Sequence, residues 1–409
     1  MVQELPQTPE SPSRLTPEDI QAFIQATYPN KGELKEIKKL QKAAISREKM
    51  PKNCRLVINM PVFYQEKNLK HALQQYLNQD IKDYEVEFEV AVHINGPSGV
   101  DVKESMPYQQ AVKFQQDHPN LRLVITTKNY GKEQTTISRI RKDLAATSLL
   151  RAGQTEGVDL DNLILVTHDA DLQGLDPNYL SRIVREFDRN PSLNGLAGFY
   201  DYPKEDFHQD HLFYTVQRFH DMVDIVNASR ENVKIFKGGA SAFRTCAYIE
   251  AGGIGHKRKM SELRPVAVSM GKQNPKATQF SRELGTVTTS ARRQLMAIGT
   301  NIPLSRSHDS FGEQGDLAER YQVPAEELRI PEVANKVTSP DFLQKLQNEL
   351  NCLYLSQVCL KKNVDRTQKL FRLVGVFAGI KIDFDEKDQL VIKDITVLRE
   401  RLIKTKSSY

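Results

Sequence analysis

The sequence predicts an α/β fold whose central sheet is mostly parallel. From residue 55 onward, short apolar runs typical of buried strands alternate with segments whose apolar residues recur at helical spacing. This alternation continues to about residue 199, with polar turn residues between the segments. Repeated strand–helix units of this kind favour parallel strands that are covered by helices on both faces of the sheet.

The segment before residue 55 predicts a tail followed by two helices. Residues 1–15 are rich in Pro, Ser and Glu and predict disorder, because they have few apolar side chains to bury. A helix is expected to begin after Thr16, which can cap its first turn, and Pro17 suits the next position. A second helical pattern lies among lysines and has its apolar residues at Leu34, Ile37 and Leu40. These lysines predict either a solvated face or a contact with a membrane surface.

The strands and helices after residue 55 follow in a regular order. Strands are predicted at 55–60, 86–94, 121–126, 163–167 and 193–199, and helices at 66–79, 132–150 and 176–187. Asn95-Gly96-Pro97-Ser98 is expected to turn the chain after the second strand. Asp176 is expected to cap the third of these helices. After about residue 310 the pattern is mainly helical, with helices at 341–361 and 367–377 and a hairpin at 380–392.

These patterns divide the chain into four predicted segments. They are a disordered tail (1–15), a helical extension (16–50), an α/β domain (51–310) and a mainly helical C-terminal domain (311–409). In open sheets of this class, ligands bind beyond the carboxyl ends of the strands. A functional site is therefore expected in the loops that follow the first, second and fourth strands.

Composition and charge argue against several classes of protein. The chain has 409 residues, of which 39% are hydrophobic and 27% are charged, as is usual for a globular protein. Its formal net charge is +5, and outside residues 31–55 the basic residues are interleaved with acidic ones, which argues against a nucleic-acid binder. The scattered cysteines argue against a disulfide framework and a zinc site; they are Cys54, Cys246, Cys352 and Cys359. With no signal peptide and no run of roughly 20 apolar residues, a cytoplasmic location is expected.

Two aspartates directly follow the fourth predicted strand. Asp169 and Asp171 are two residues apart, so both carboxylates can bind one hard cation, Mg²⁺ or Mn²⁺. Phosphate groups of a substrate usually complete the coordination of such a cation. The same spacing recurs at residues 159–161 and 383–385, but neither of these pairs follows a predicted buried central strand. Their position therefore favours Asp169 and Asp171 over the other two pairs as a metal site. A purely structural role for the two aspartates is the alternative.

Three further segments resemble those of family 2 glycosyltransferases. Residues 57–68, Val-Ile-Asn-Met-Pro-Val-Phe-Tyr-Gln-Glu-Lys-Asn, resemble a strand that ends in a Pro-Val-Tyr-Asn-Glu-like turn. Residues 129–132, Asn-Tyr-Gly-Lys, are similar to the turn that leaves that family's third strand. Residues 236–254, with Phe243-Arg244 and then Gly252-Gly253, resemble its acceptor-side segment. The segments keep the family's order across about residues 55 to 265, roughly half of the chain.

The resemblance implies a GT-A fold and a nucleoside-diphosphate sugar, UDP- or GDP-linked, as the donor. It implies that Pro61 and Glu66 line the base and ribose, and that Asn95, where the family usually has Asp, contacts the base. Lys132 would lie near the base or the phosphates. Each also has a structural interpretation: Pro61 could end a strand, Glu66 could favour a helix N-terminus, and Lys132 could be a solvated first-turn residue.

The resemblance also implies a metal site and a catalytic base. Asp169 would face the ribose or sugar, and Asp171 would bind Mn²⁺ or Mg²⁺. Arg306 and His308 have the Arg-x-His spacing of several metal-dependent GT-A enzymes, so His308 would be a metal ligand and Arg306 a diphosphate contact. Glu262 is the acid nearest to the expected base of an inverting enzyme, although a serine replaces the acid that usually precedes it. A solvated His308 and a surface Glu262 are the alternatives.

Metal-dependent transfer of a sugar from a nucleoside-diphosphate sugar to a hydroxyl acceptor is therefore the predicted function. A nucleotidyltransferase acting on sugar phosphates would use a similar sheet, metal and nucleotide, but its Gly-rich loop is missing from residues 60–63. A catalytically inactive sugar-nucleotide-binding protein is the other alternative. The sequence does not identify the sugar or the acceptor, and peripheral contact with a membrane stays open.

Overall fold

A seven-stranded sheet lies at the centre of the described part of the chain. The computed structural model describes residues 14–46, 48–81, 85–131, 136–202, 215–216, 219–220, 222–223, 226, 239–255, 263–274, 276–281, 283–289, 340–361, 363–378 and 380–394. The described helices are α1 (Pro17–Thr27), α2 (Lys31–Lys42), α3 (Leu69–Leu77), α4 (Met106–Asp117), α5 (Ile137–Gly153), α6 (Tyr179–Arg189), α7 (Thr245–Glu250), α8 (Arg264–Gln273), α9 (Pro340–Lys361) and α10 (Val364–Ala378), with a 3-10 turn at Val102–Glu104. The described strands are β1 (Cys54–Phe63), β2 (Glu87–Pro97), β3 (Leu123–Tyr130), β4 (Ile164–Thr167), β5 (Leu172–Leu175), β6 (Gly195–Ala197), β7 (Phe199–Asp201), β8 (Ser241–Arg244), β9 (Thr278–Phe280), β10 (Thr286–Thr289), β11 (Lys381–Phe384) and β12 (Leu390–Asp394).

The order of the strands in the central sheet is β3-β2-β1-β4-β8-β6-β9. Neighbours among β1 to β4 pair in parallel, as do β6 and β9, whereas β8 is antiparallel to both β4 and β6. The predicted α/β fold with a mostly parallel central sheet is therefore confirmed. Successive strands are added on one side of β1 up to β3 and then on its other side at β4. The point between β1 and β4 is thus the topological switch at which such sheets bind ligands.

At this switch point, β1 extends beyond the end of β4. Residues 56–59 of β1 pair with β4, whereas β1 stays paired with β2 as far as Phe63. The Asn59 carbonyl accepts a hydrogen bond from the His168 N–H at 3.1 Å on the β4 side. Backbone groups alternate along a strand, so Pro61 faces that same side, where β4 has already ended. Proline has no N–H to pair, which makes it a suitable residue for this position.

Two apolar layers cover the sheet. On one face, Leu56, Ile58 and Met60 of β1 pack with α3, α4 and α6 in one core cluster. On the other face, Val57 packs with α1, α2, α5, α7 and α8 in a second cluster. α5 is buried on nearly every side because it lies between the sheet and the pair α1 and α2. Its charged residues are therefore buried as well, and burial of charge requires partners.

The two N-terminal helices form as the sequence predicts. Thr16 accepts a hydrogen bond from the Asp19 N–H, and the Asp19 carboxylate accepts one from the Thr16 N–H, which completes a capping box at the start of α1. Ile37 of α2 is buried in the second core cluster. After α2, Ile45 and Ile125 of β3 exchange two backbone hydrogen bonds, of 2.8 and 3.0 Å. The N-terminal extension therefore shares a core with the sheet domain.

The predicted turn after the second strand lies farther along the chain. β2 runs through Asn95 to Pro97 because strands flank it on both sides. Asn95 pairs with Phe63 of β1. Pro97 pairs with Tyr130 of β3, which also extends beyond its predicted end. The turn follows at Gly99, whose φ of +94° lies in the left-handed region that glycine tolerates.

Several helix boundaries also differ from the predicted ones. α3 begins at Leu69 and α5 at Ile137, several residues after the predicted starts at 66 and 132. Asn178, not Asp176, is the N-cap of α6, and the Asp176 carboxylate accepts a hydrogen bond from the Asn178 N–H at 2.9 Å. α4 was not predicted. The second sheet, of order β5-β10-β7, was not predicted either, because its strands are only three or four residues long.

The C-terminal part of the described chain has the predicted helices and hairpin. α9 and α10 pack on the antiparallel β11–β12 pair in a third core cluster, which also includes Tyr202 and Phe219. The Asp385 carboxylate accepts hydrogen bonds from the backbone of Lys387 and Gln389 and closes the hairpin turn. The Asp-x-Asp pair at residues 383–385 thus lies in this hairpin, away from the central sheet. Within the described ranges, no helix combines the length and the apolar character needed to cross a bilayer.

Candidate active site

The predicted site residues in the described chain lie at or next to the carboxyl edge of the central sheet. Pro61 is buried in β1, and Glu66 follows β1 and precedes α3. Asn95 is near the end of β2, and Asp169 and Asp171 follow β4. Because β1, β2 and β4 are parallel neighbours, their ends lie on one edge, on the two sides of the switch point.

The Asp169 and Asp171 carboxylates are held by different elements. The Asp169 side chain is 38% exposed, and its Oδ1 accepts a hydrogen bond from the Arg141 guanidinium of α5, which is 3% exposed. Asp171 is half-buried, and its Oδ1 accepts a hydrogen bond from the Thr289 hydroxyl of β10 at 2.9 Å. Ala170 between them is buried in the first core cluster. An ionised carboxylate has about four lone-pair sites, so one hydrogen bond leaves it able to ligate a cation.

Asn95 connects the ends of β1 and β2. Its side chain is 2% exposed, and its Nδ2 donates to the Val62 carbonyl at 2.7 Å. The Asn95 Oδ1 is buried and has no hydrogen-bond partner among the atoms of the described residues. A buried acceptor without a partner carries a cost of about 1–3 kcal/mol.

Glu66 takes the structural position that was the alternative to a nucleotide contact. It is 7% exposed, and its Oε1 accepts a hydrogen bond from the Asn68 N–H at 2.9 Å, immediately before α3. A carboxylate at this end of a helix is stabilised by the helix dipole. Its contact with base or ribose stays a prediction, as do the ligand contacts of Pro61 and Asn95.

Four predicted site residues lie outside the described residues. They are Lys132, Glu262, Arg306 and His308. The described residues contain no group of three or more His, Cys, Asp and Glu side chains placed to hold a metal. Asp171 is therefore the proposed metal ligand that lies within the described residues, with Asp169 beside it, and the catalytic base and the further metal ligand His308 stay predictions.

Three side chains at this edge were not singled out from the sequence. The Arg141 and Thr289 donors belong to elements 28 and 118 residues away from their aspartates, so no local spacing pattern reveals the pairing. Phe63 ends β1 with its ring 40% exposed, and it packs edge-on against Tyr64 at a centroid distance of 4.7 Å. An aromatic residue in the turn that follows the first predicted strand is the sequence signal by which Phe63 could have been found.

His168, which directly precedes Asp169, has a structural role. It is fully buried on the face opposite α5, and its Nδ1 lies 2.5 Å from the Tyr76 hydroxyl. Its ring also packs against Tyr179 at a centroid distance of 5.3 Å. Burial lowers the pKa of His168 to about 3, an effect that Asp169 opposes. His168 is therefore neutral at physiological pH.

A buried carboxylate, Asp143, joins three elements behind the site. Its Oδ1 accepts hydrogen bonds from the Tyr28 hydroxyl and from Arg139 Nε, both at 2.9 Å. Its Oδ2 accepts from Lys128 Nζ at 2.9 Å and from the Tyr130 hydroxyl at 3.1 Å. We call these five residues the Asp143 cluster. The cluster ties the end of α1 to the end of β3 and the start of α5, and thus to both ends of the segment that contains Lys132.

Neither protein-family models nor curated proteins give a match to this sequence. Solved structures of glycosyltransferases are similar to the chain. One is a mannosyltransferase from Pyrobaculum calidifontis in complex with GDP-Man and Mn²⁺, with 13% identity, 89% of this chain and 92% of that chain covered, and a TM-score of 0.41. A second is glucosyl-3-phosphoglycerate synthase from Mycobacterium tuberculosis in complex with Mn²⁺, UDP-glucose and phosphoglyceric acid, with 13% identity, 71% and 84% coverage, and a TM-score of 0.35.

A third similar structure is TarS 1–349 from S. aureus in complex with UDP. It has 13% identity, covers 83% of this chain and 96% of that chain, and has a TM-score of 0.34. At these identities and TM-scores, the matches establish neither the activity nor the ligands of this chain.

His93 extends the Asp143 cluster and makes folding depend on pH. It is fully buried, with Nδ1 2.8 Å from the Thr126 hydroxyl and Nε2 2.9 Å from the Tyr130 hydroxyl. Burial lowers the pKa of His93 to about 4, an effect that Asp143 opposes. The unfolded chain takes up this proton near pH 6.5. A fall in pH from the upper to the lower of these two pKa values therefore favours the unfolded chain. Above the upper value, His93 contributes no pH dependence to stability.

We expect His93 to lower the free energy of unfolding by about 1.4 kcal/mol per pH unit as the pH falls from about 6.5 to about 4. Urea unfolding at several pH values would measure this slope. The His93→Gln variant should lose that part of the slope while keeping a polar side chain. Equal slopes for the two proteins would contradict the assignment.

Proposed function

We propose that this chain is a metal-dependent glycosyltransferase that moves a sugar from a nucleoside-diphosphate sugar to a hydroxyl acceptor. The observation that carries the proposal is the position of Asp169 and Asp171. Both follow β4 at the carboxyl edge of the sheet, where β1 extends past β4. This is the topological switch point, where sheets of this class bind ligands.

The donor set fits a hard divalent cation. Carboxylate oxygens two residues apart suit Mn²⁺ or Mg²⁺, and these ions commonly keep positions for substrate phosphates. Asp171 would ligate the cation, Asp169 would lie toward the ribose or sugar, and His308 would be a further ligand. When bound, the cation supplies a Lewis acid that offsets negative charge on the departing diphosphate.

The nucleotide would lie against the ends of β1 and β2. Asn95 would contact the base, as the resemblance to family 2 enzymes implies, with its Nδ2 engaged by the Val62 carbonyl. Pro61 and Glu66 would line the same side, in line with the resemblance to family 2 enzymes. Lys132 would lie near the base or the phosphates, and Arg306 would contact the diphosphate, since cationic side chains form charge-assisted hydrogen bonds with phosphate oxygens.

In the proposed reaction, the acceptor hydroxyl oxygen attacks the anomeric carbon of the donor sugar. The bond from that carbon to the diphosphate oxygen breaks, and the nucleoside diphosphate leaves with the bonding electrons. Glu262 would take up the hydroxyl proton, so that the attacking oxygen is not left positively charged. Attack opposite the leaving group would invert the configuration at the anomeric carbon.

The release of nucleoside diphosphate from a panel of nucleotide sugars tests this proposal. We expect UDP or GDP to be released in the presence of Mn²⁺ and release to stop when the metal is chelated. Pyrophosphate release instead would indicate a nucleotidyltransferase. A rise in melting temperature with a nucleotide sugar, but no product, would indicate a binding protein without activity.

Arg141 is expected to be a positioning residue for Asp169. Replacement of this buried arginine by methionine removes the hydrogen bond to Asp169 but keeps a similar volume. Asp169 is 38% exposed, so water can solvate its carboxylate and the loss of stability should be small. We expect Arg141→Met to lower kcat/KM by about 10-fold to 100-fold, because a misplaced carboxylate weakens contacts made at the transition state.

The conservative variant separates positioning from packing. Arg141→Lys keeps a cation that can reach Asp169 and should recover part of kcat/KM. If Arg141→Met and Arg141→Lys both turn over as the natural protein does, Arg141 has no role in placing Asp169. Melting temperatures of the variants show whether any loss follows from unfolding.

A further inference from the structure

The lysines of α2 lie together on one side of the helix. At about 100° per residue, five lysines fall within an arc of about 100°, opposite the buried Ile37 and Leu40. The five are Lys31, Lys35, Lys38, Lys39 and Lys42. Lys38 is partly exposed and the other four are exposed. The arc is therefore a continuous basic strip along the outer side of α2, which we call the lysine strip.

The two acidic residues of α2 lie outside the lysine strip. Glu33 pairs with Arg139 at 2.8 Å, and Glu36 pairs with Lys128 at 3.4 Å. Both partners belong to the domain beneath α2. Within the described residues, no carboxylate forms an ion pair with a lysine of the strip. The acids thus neutralise cations of the domain and leave the outer side of the helix positive.

We propose that the lysine strip docks the protein onto an anionic lipid surface. Clusters of four to eight basic residues on an amphipathic helix are typical of segments that bind acidic lipid headgroups. Each such lysine strengthens binding by about fivefold. The strip has five lysines along three turns of helix, so it fits a flat, diffusely charged partner.

A membrane fits the strip better than a nucleic acid does. Nucleic-acid sites commonly combine lysine with arginine forks and aromatic rings that stack on bases. The strip contains lysine alone and no aromatic residue. The apolar side of α2 is already buried in the second core cluster, so α2 cannot insert into lipid. Binding is therefore electrostatic, and salt weakens it strongly.

The lysine strip begins near the edge of the sheet that carries the candidate active site. Glu33 and Glu36, in the first half of α2, pair with the start of α5 and the end of β3. A lipid surface against the strip would thus lie beside the carboxyl ends of the strands. Docking itself does not depend on the proposed transferase activity, because it involves the lysines on the outer side of α2, away from the side that packs on the domain.

Sedimentation with lipid vesicles tests the proposal. The full chain is mixed with vesicles of phosphatidylcholine alone and with vesicles that contain about 30% phosphatidylserine. We expect it to sediment with the anionic vesicles only, and to be released as salt rises from about 0.1 M to about 0.5 M. The variant with Lys35→Glu, Lys39→Glu and Lys42→Glu should bind at least about 100-fold more weakly.

A second triple variant is the matched control. Lys70→Glu, Lys103→Glu and Lys387→Glu change the net charge equally but alter exposed lysines on other elements. This control should stay within about threefold of the natural chain, because those lysines lie outside the strip. Equal losses in the two variants, or equal binding to neutral vesicles, would overturn the proposal. So would a failure to bind anionic vesicles together with strip-dependent binding to RNA.

Discussion

Asp171→Asn is expected to lower the metal-dependent release of nucleoside diphosphate by about 100-fold to 1,000-fold. The amide has no negative charge, so the site holds a divalent cation less well and offsets less of the charge on the leaving diphosphate. The fold should persist, because the asparagine oxygen can still accept the hydrogen bond that Thr289 donates at 2.9 Å. Initial rates across a range of Mn²⁺ concentrations measure the loss, and circular dichroism checks the fold.

The hairpin aspartate Asp383 is the matched control. It belongs to another Asp-x-Asp pair, and its side chain is 50% exposed beside Arg372. Asp383→Asn makes the same chemical change at a site that the proposal gives no role in catalysis, so turnover should not change. Near-normal turnover of Asp171→Asn would remove Asp171 from the mechanism. A loss that is equally large in Asp383→Asn would point to a general effect of lost charge.

The parts of the fold that were predicted correctly are those that local patterns determine. Thr16 and Pro17 mark the start of α1, and a run of apolar residues marks β4. The ends of β2 were not determined locally. Asn95-Gly96-Pro97 is a turn sequence by composition, but pairing with both β1 and β3 keeps it extended. Tertiary pairing therefore overrides turn propensity at the edge where ligands are expected to bind.

The candidate site likewise has residues that a local pattern reveals and residues that only folding brings together. The Asp-x-Asp pair could be found because it directly follows a buried strand and needs no distant partner. Its donors could not, since Arg141 and Thr289 come from other elements and only folding brings them to the aspartates. The Glu66 carboxylate fits the structural interpretation that the sequence also offers, since it accepts a hydrogen bond from the Asn68 N–H just before α3, and its contact with a ligand stays a prediction.

The Asp143 cluster could not be predicted for a further reason. The apolar residues of α5, among them Ile140, Leu144 and Leu149, recur at helical spacing, so the sequence indicates an apolar inner side and an outer side that carries charged residues. In the structure α1 and α2 cover that outer side, so Arg139 and Asp143 are buried. Whether a charged residue is exposed depends here on helices more than 100 residues earlier in the chain, as the Tyr28–Asp143 hydrogen bond shows.

Asp143→Asn is expected to lower the free energy of unfolding by about 3–5 kcal/mol. The Asp143 side chain is 0% exposed, while Lys128 and Arg139, which it neutralises, are 14% and 10% exposed. An amide of the same shape keeps some hydrogen bonds but leaves the two cations close together, with the more exposed Glu33 and Glu36 as their remaining counter-charges. Water cannot solvate such largely buried cations fully, so the native state becomes less stable relative to the unfolded chain. Urea unfolding of the full chain, followed by circular dichroism, measures the change.

Two variants show whether the loss comes from buried charge. Asp117→Asn breaks an exposed pair in which Lys113 and Asp117 are 74% and 47% exposed, so it should cost less than about 1 kcal/mol. Tyr28→Phe removes one hydroxyl from the Asp143 cluster and should cost about 1 kcal/mol, the usual net value of one hydrogen bond. If Asp143→Asn cost no more than Asp117→Asn, the Asp143 cluster would not be what fixes α1 and the end of β3 against α5.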